Sequence, residues 1–131
     1  MTQSDRLVIT IPAFVDDIVQ RAGTLTSDDA FIQLAIALSR ENVEQGGAPF
    51  GAVVAAGDRV VAGGVNRVLA SGMSIAHAEI VTLMRAQLVL QAGMQVAAPL
   101  TLYTSSLMTA SVTPALAPVS WNLIGSVRPI L

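Results

Sequence analysis

Gly46-Gly47-Ala48-Pro49-Phe50-Gly51-Ala52-Val53-Val54-Ala55-Ala56 is followed at once by Gly57-Asp58 and then by Arg59-Val60-Val61-Ala62-Gly63-Gly64. Two β-rich runs around a Gly-Asp pair predict a hairpin, because that pair supplies the backbone geometry that joins two twisted strands. Gly46-Gly47 in front of the first run stops whatever element precedes it. Taken alone, these glycines are turn residues, and their spacing matches neither the dinucleotide-binding nor the P-loop fingerprint. Phe50 stands at the start of the first strand beside the Gly-rich bend. An aromatic there serves either the core or the wall of a pocket for a flat ligand.

Upstream of the hairpin, Thr26-Ser27-Asp28-Asp29 carries the capping residues and early acids of a helix start. Phe31, Leu34, Ala35 and Leu38 then recur at i, i+3, i+4 and i+7, which predicts a helix to about Gln45. Ile32 and Ile36 widen its apolar face, as expected for a helix lying on a sheet. Further back, Leu7 to Ile11 is a short strand or an extended arm, Pro12 opens a short helix over Ala13 to Arg21, and Gly23 ends it. Asp16-Asp17 and Asp28-Asp29 read as solvated or capping acids.

Downstream, Val65 to Ile75 reads as a loop holding Asn66, Ser71 and Gly72, and a second long helix is expected from Ala76 to about Gln91. Its start, Ser74-Ile75-Ala76-His77-Ala78-Glu79, contains the only histidine of the 131 residues. Mid-helix, two residues apart point about 200° away from each other. In a first turn entered from a loop, both side chains can address the space before the helix, where unpaired N–H groups and the positive dipole end favour an anion. By itself, His-x-Glu fits a structural histidine as well as a metal or acid/base pair. Thr101-Leu-Tyr-Thr-Ser-Ser106 supplies a third strand.

Composition narrows the function classes. With 53% hydrophobic residues the chain can bury a substantial core and fits one domain, residues 1–131. Seven arginines and no lysine stand against nine acids, for a net charge of -2, so no basic stripe exists to hold long nucleic acid. The absence of cysteine excludes disulfides and thiolate metal ligands. Every acid lies at or before Glu79, and the apolar stretch after Arg85 is broken by Pro99, Pro114 and Pro118, which argues against a membrane span. Met1 to Arg6 leads into no signal-peptide apolar block, so a cytoplasmic location is expected. Met73, Met84, Met94 and Met108 read as core filler rather than ligands, and Trp121 as a packing anchor.

Together, the helix, the Gly-Gly-Ala-Pro-Phe-Gly-Ala-Val-Val strand, an asparagine two residues after Gly64, Ala-His-Ala-Glu eleven residues further on, and the Thr101–Ser106 strand resemble the cytidine and deoxycytidylate deaminase superfamily. Within it the chain is most similar to bacterial guanine deaminases and to nucleoside or tRNA adenosine deaminases. The resemblance covers residues 28–106. It implies a three-layer α/β/α domain with a mixed central sheet. It also implies hydrolytic deamination of a nucleobase or nucleoside, guanine-type favoured with cytidine and adenosine open, by a zinc-dependent enzyme that is usually a homodimer. In the family the histidine and two cysteines of Pro-Cys-x-x-Cys hold zinc, whose bound water attacks the amino-bearing carbon while the glutamate carries protons. Carried over, His77 is the zinc ligand and Glu79 the proton shuttle. Asn66 is the amide that bonds the base, Phe50 the aromatic beside it, and the Ala78 backbone the neighbour of the reacting carbon.

The chain departs from that pattern after Ser106. Where the family has Glu-Pro-Cys-x-x-Cys, this sequence reads Leu107-Met108-Thr109-Ala110-Ser111-Val112, so that Thr109 and Val112 fall on the cysteine positions and one ligand of three remains. Pro114 and Pro118 interrupt the helix expected next. Residues 107–131 therefore read as a divergent tail, such as a shifted reading frame generates, behind an N-terminal arm (1–26) and a family-like core (28–106). Met73 stands where the family often has Asp. The alternative function is a catalytically inactive deaminase-like protein that binds a base or serves as a dimerisation partner.

Overall fold

The computed structural model describes residues 5–96 and 99–105, and the backbone of 121–125. Four helices and four strands follow in the order α1 (Ala13–Ala22), α2 (Asp28–Glu44), β1 (Gly51–Ala56), β2 (Arg59–Val65), α3 (Val68–Ser71), α4 (Ala78–Gln91), β3 (Leu100–Thr104) and β4 (Trp121–Gly125). The strands form one sheet in the order β2-β1-β3-β4. β1 runs antiparallel to β2 and β3, and β4 runs parallel to β3, so the sheet is mixed.

Burial of all six β1 residues reflects cover on both faces. On one face Val53, Ala55 and Tyr103 meet Val15 of α1 and Phe31, Leu34 and Leu38 of α2. On the other, Ala52, Val54, Leu100 and Leu102 meet Ala78, Leu83 and Ala86 of α4. This is the expected three-layer arrangement. Between β1 and β2 the register slips at Val54/Ala55, so Val61 has no opposite number, and both Val61 and its neighbour Ala62 join the α4-side cluster.

The α2 stripe forms as the periodicity requires, with Phe31, Leu34, Ala35 and Leu38 all buried and Ser27 accepting the Ala30 N–H as its cap (3.1 Å). Several expectations need correction. Of the two alternatives for Leu7 to Ile11, a strand or an extended arm, the strand does not form. The stretch after Val65 is not all loop, since Arg67 to Gly72 closes one short helical turn. The second long helix begins at Ala78 rather than Ala76, because His77, with ψ at 150°, is still extended. Asp16 is not simply solvated: it pairs with Arg85 of α4 at 3.0 Å. Asp28, besides its place in the first turn of α2, accepts the Tyr103 hydroxyl at 2.6 Å. Met84 is 40% exposed, whereas Met94 does pack against the core. The side chains of Met108 and Trp121 lie outside the described residues. Among the described residues, no helix is long and apolar enough to cross a membrane.

Two glycines set the spacing of the layers. A Cβ on Gly51 would lie 2.5 Å from the Ala35 carbonyl oxygen and 2.8 Å from the Ser39 nitrogen, so β1 begins directly on the backbone of α2. A Cβ on Gly64 would collide with the Thr82 hydroxyl, so β2 ends directly on α4.

Candidate active site

Phe50, just ahead of β1, and Asn66, just after β2, sit opposite each other, with the Asn66 N–H donating to the Phe50 carbonyl at 3.0 Å. The ladder that pairs Gly51 with Val65 thus continues one step outward and carries both residues to the same end of the sheet. Phe50 is half-buried against the α4-side core, while Asn66 is 7% exposed. Asn66 accepts the Val68 N–H on its Oδ1 at 3.1 Å. That local turn fixes the amide's orientation, so what Asn66 has to offer a ligand is N–H donors.

The same end of the sheet receives α4. The Arg67 N–H donates to the Ala76 carbonyl at 2.8 Å and brings the chain from Asn66 round to His77. The Thr82 hydroxyl donates to the Ala78 carbonyl at 2.7 Å and lies 3.4 Å from the Ala52 carbonyl, seating the first turn of α4 on the start of β1. His77 is the N-cap residue, exposed, and its side chain makes no capping bond. Its carbonyl accepts the Val81 N–H, so the backbone is committed to the helix while the imidazole is not. Ala78 is fully buried, and Glu79, in the first turn, is 7% exposed. A carboxylate in that position faces the positive end of the helix dipole. All five residues singled out from the sequence are therefore brought to one end of one sheet. Ser105 closes it on the β3 side, accepting the Gly51 N–H on its Oγ at 3.0 Å.

Three positioning residues were not singled out from the sequence. Ser105 and Thr82 act through bonds to backbone atoms of β1, which leave no trace in spacing. Asn42 did leave one. It continues the Leu34, Ala35, Leu38 stripe by four residues, and a polar residue there is buried at 1% exposure, where a partner is obligatory. Its Nδ2 donates to the Ala48 and Asn66 carbonyls at 2.8 and 3.1 Å.

Among the described residues, no three His, Cys, Asp or Glu side chains group closely enough to hold a metal ion. Thr109 and Val112 lie outside the described residues, but the sequence has no cysteine and no second histidine to place there. The residues present therefore do not fit a zinc site of the His-Cys-Cys kind, in which three protein ligands leave one position for water.

The sequence profile of the cytidine and deoxycytidylate deaminase zinc-binding region matches residues 25–114, so the match runs beyond the expected 28–106 and passes through Thr109 and Val112. No curated protein matches the chain in sequence. Among solved structures, NE0047 in complex with 2,6-diaminopurine is 28% identical, with a TM-score of 0.75, over 94% of this chain and 68% of that one. Guanine deaminase from Bacillus subtilis is 28% identical, with a TM-score of 0.65, over 78% of this chain and 65% of its own. A tRNA:A34 deaminase that edits the wobble position is 26% identical, with a TM-score of 0.61, over 76% and 75%. With its mixed sheet between helices, its histidine and glutamate at the start of α4, and a match over most of its length, the chain belongs to the cytidine and deoxycytidylate deaminase family, zinc-dependent hydrolases acting on C–N bonds.

Proposed function

We propose that this site takes a purine base of the guanine type and serves its hydrolytic deamination, with release of ammonia. The observation that carries the reading is the junction of Phe50 and Asn66, bonded backbone to backbone where α4 delivers Ala78 and the buried Glu79. Phe50 offers a face on which a flat ring stacks. Asn66 offers N–H donors, which select a ring nitrogen or carbonyl as partner. Glu79 carries protons in two steps. It passes one from the attacking water to the ring nitrogen, and then the remaining one, from the newly added hydroxyl, to the departing amine as ammonia leaves and the carbonyl forms. The guanine preference is supported by the neighbours: structures of NE0047 hold 2,6-diaminopurine and, in variants, 8-azaguanine, and another neighbour is a guanine deaminase.

A second reading is favoured by the ligand positions. With Thr109 and Val112 where the family has cysteines, the chain binds a base without turning it over, because nothing in the described site activates water in place of zinc. Titration of the purified chain with 8-azaguanine, ammonia release from guanine, and zinc by elemental analysis separate the two. About one zinc per chain with turnover that Glu79→Ala abolishes supports the enzyme. Zinc near zero with binding and no turnover supports the second reading, and no binding of any purine, cytosine or their nucleosides refutes both. Assembly as a homodimer and a cytoplasmic location belong to the same proposal; light scattering on the purified chain tests the first, and fractionation of cells the second.

A further inference from the structure

We propose that Asn42 is a positioning residue for base recognition, one amide nitrogen that fixes Phe50 and Asn66 with respect to each other. The inference rests on the base-binding reading above. Phe50 and Asn66 come from different strands, and each lies beyond its strand's end, where the ladder no longer dictates position. Asn42, on the last turns of α2, reaches both. One Nδ2 proton goes to the Ala48 carbonyl at 2.8 Å and the other to the Asn66 carbonyl at 3.1 Å. Ala48 in turn accepts the Phe50 N–H at 2.8 Å, and Phe50 accepts the Asn66 N–H at 3.0 Å. The four groups form a closed loop of bonds, Asn42 to Ala48 to Phe50 to Asn66 and back to Asn42.

The chemistry of that position is narrow. Both partners are acceptors, so the residue must present two protons from one point. Aspartate presents none when ionised and sets a negative charge against two carbonyl oxygens. Leucine has the shape of asparagine and leaves both carbonyls unpaired, and serine has one proton to give. The neighbouring bend is shaped to the same amide. A Cβ on Gly47 would lie 2.5 Å from Asn42 Nδ2 and 2.8 Å from its Cγ, and the Gly47 N–H donates to the Asn42 carbonyl at 2.7 Å. Gly47 therefore leaves space that the Asn42 side chain occupies, on the bend that carries Phe50 into the site.

Calorimetric titration with 8-azaguanine, well below the melting temperature, tests this. Asn42→Ser is expected to weaken binding roughly three- to tenfold, the worth of one hydrogen bond to the ligand. In an Asn66→Ala background the same change should add less than twofold, because the residue it positions is gone. Gly47→Ala, which presses on the Asn42 amide without removing it, should weaken binding in the same direction and serves if Asn42→Ser does not fold. Asn42→Asp should bind poorly at neutral pH and recover relative to wild type on acidification, when the carboxyl regains a proton to donate. Arg85→Met, remote from these bonds, lowers stability and leaves affinity unchanged. Equal losses from Asn42→Ser with and without Asn66, or binding within twofold of wild type in Asn42→Ser and Gly47→Ala alike, would overturn the proposal. A wild-type chain that binds no purine overturns the base site itself and this role with it, and the wild-type isotherm, measured first, tells the two failures apart.

Discussion

Replacing Gly51 by alanine asks whether β1 begins on the backbone of α2. The added Cβ would lie 2.5 Å from the Ala35 carbonyl oxygen, 2.8 Å from the Ser39 nitrogen and 3.0 Å from the Leu38 Cβ. Two of these are main-chain atoms of a helix, and Leu38 is fully buried, so no flexible side chain can yield. The strand would have to back away by roughly an ångström, straining the Gly51 bonds to both atoms of Ser105, each 3.0 Å long. Overpacking of this kind costs roughly 1–3 kcal/mol. For a domain of this size that is a fall in Tm of roughly 4–12 °C. Because Gly51 carries Phe50, ligand affinity should weaken as well. Calorimetric melting of the two proteins at one pH measures the first effect directly. Gly51→Ala melting within a degree of wild type would mean that the first strand and the second helix do not meet as described, and the seating of the site would fail with it.

Other perturbations test other contacts. Asp16→Asn removes an exposed ion pair to Arg85, 58% and 25% exposed, and should cost under about 1 kcal/mol and less in high salt. Arg85→Met also takes the donor from the buried Gly63 carbonyl, 2.7 Å away, and should cost roughly 1–3 kcal/mol, with denaturant titration comparing the two. Burial of Tyr103, its hydrogen bond to Asp28 and the charge of that carboxylate push the phenol up to about 12. The folded state thus favours the protonated phenol. Its stabilisation, roughly 2–3 kcal/mol, is fully present below pH 10 and is lost as pH rises from 10 to 12. Tyr103→Phe should flatten the stability-pH curve in that window; an unchanged slope would refute the assignment. If the tail after Ser106 arose by a frame shift, another frame of the coding DNA encodes Pro-Cys-x-x-Cys at that point, and sequencing the gene decides it.

The α2 stripe was legible as a helix lying on a sheet because burial enforces its periodicity, and it meets one face of the sheet as expected. The second covering layer came from the family resemblance, and the burial of β1 on both faces bears it out. What stayed hidden were features decided by single backbone conformations. His77 reads as helical by its neighbours, yet its ψ of 150° places it at the cap, with a side chain that makes no capping bond and a carbonyl committed to the helix. The turn of helix at Val68–Ser71 is four residues long, too short for any periodicity to register, and is closed by Gly72 with φ at 71°. Ion pairs such as Arg85 with Asp16 join residues 69 apart in sequence, and nothing local marks either partner.

The site divides along the same physical line. The residues proposed to face a ligand, His77, Glu79, Asn66 and Phe50, were picked out by the family resemblance, because each taken alone also fits a structural role. Residues that hold those four in place act on backbone carbonyls and amides, which every amino acid carries, so no motif can specify them. Asn42 is the intermediate case. A polar residue continuing an apolar stripe is a conflict between helix pattern and core, and burial at 1% resolves it only if the amide is fully used. Such conflicts in a sequence therefore point to second partners rather than to errors in the helix assignment. Here the partners are the two backbone segments that carry Phe50 and Asn66, so on the proposed reading the misfit in α2 and the motif at α4 serve one site.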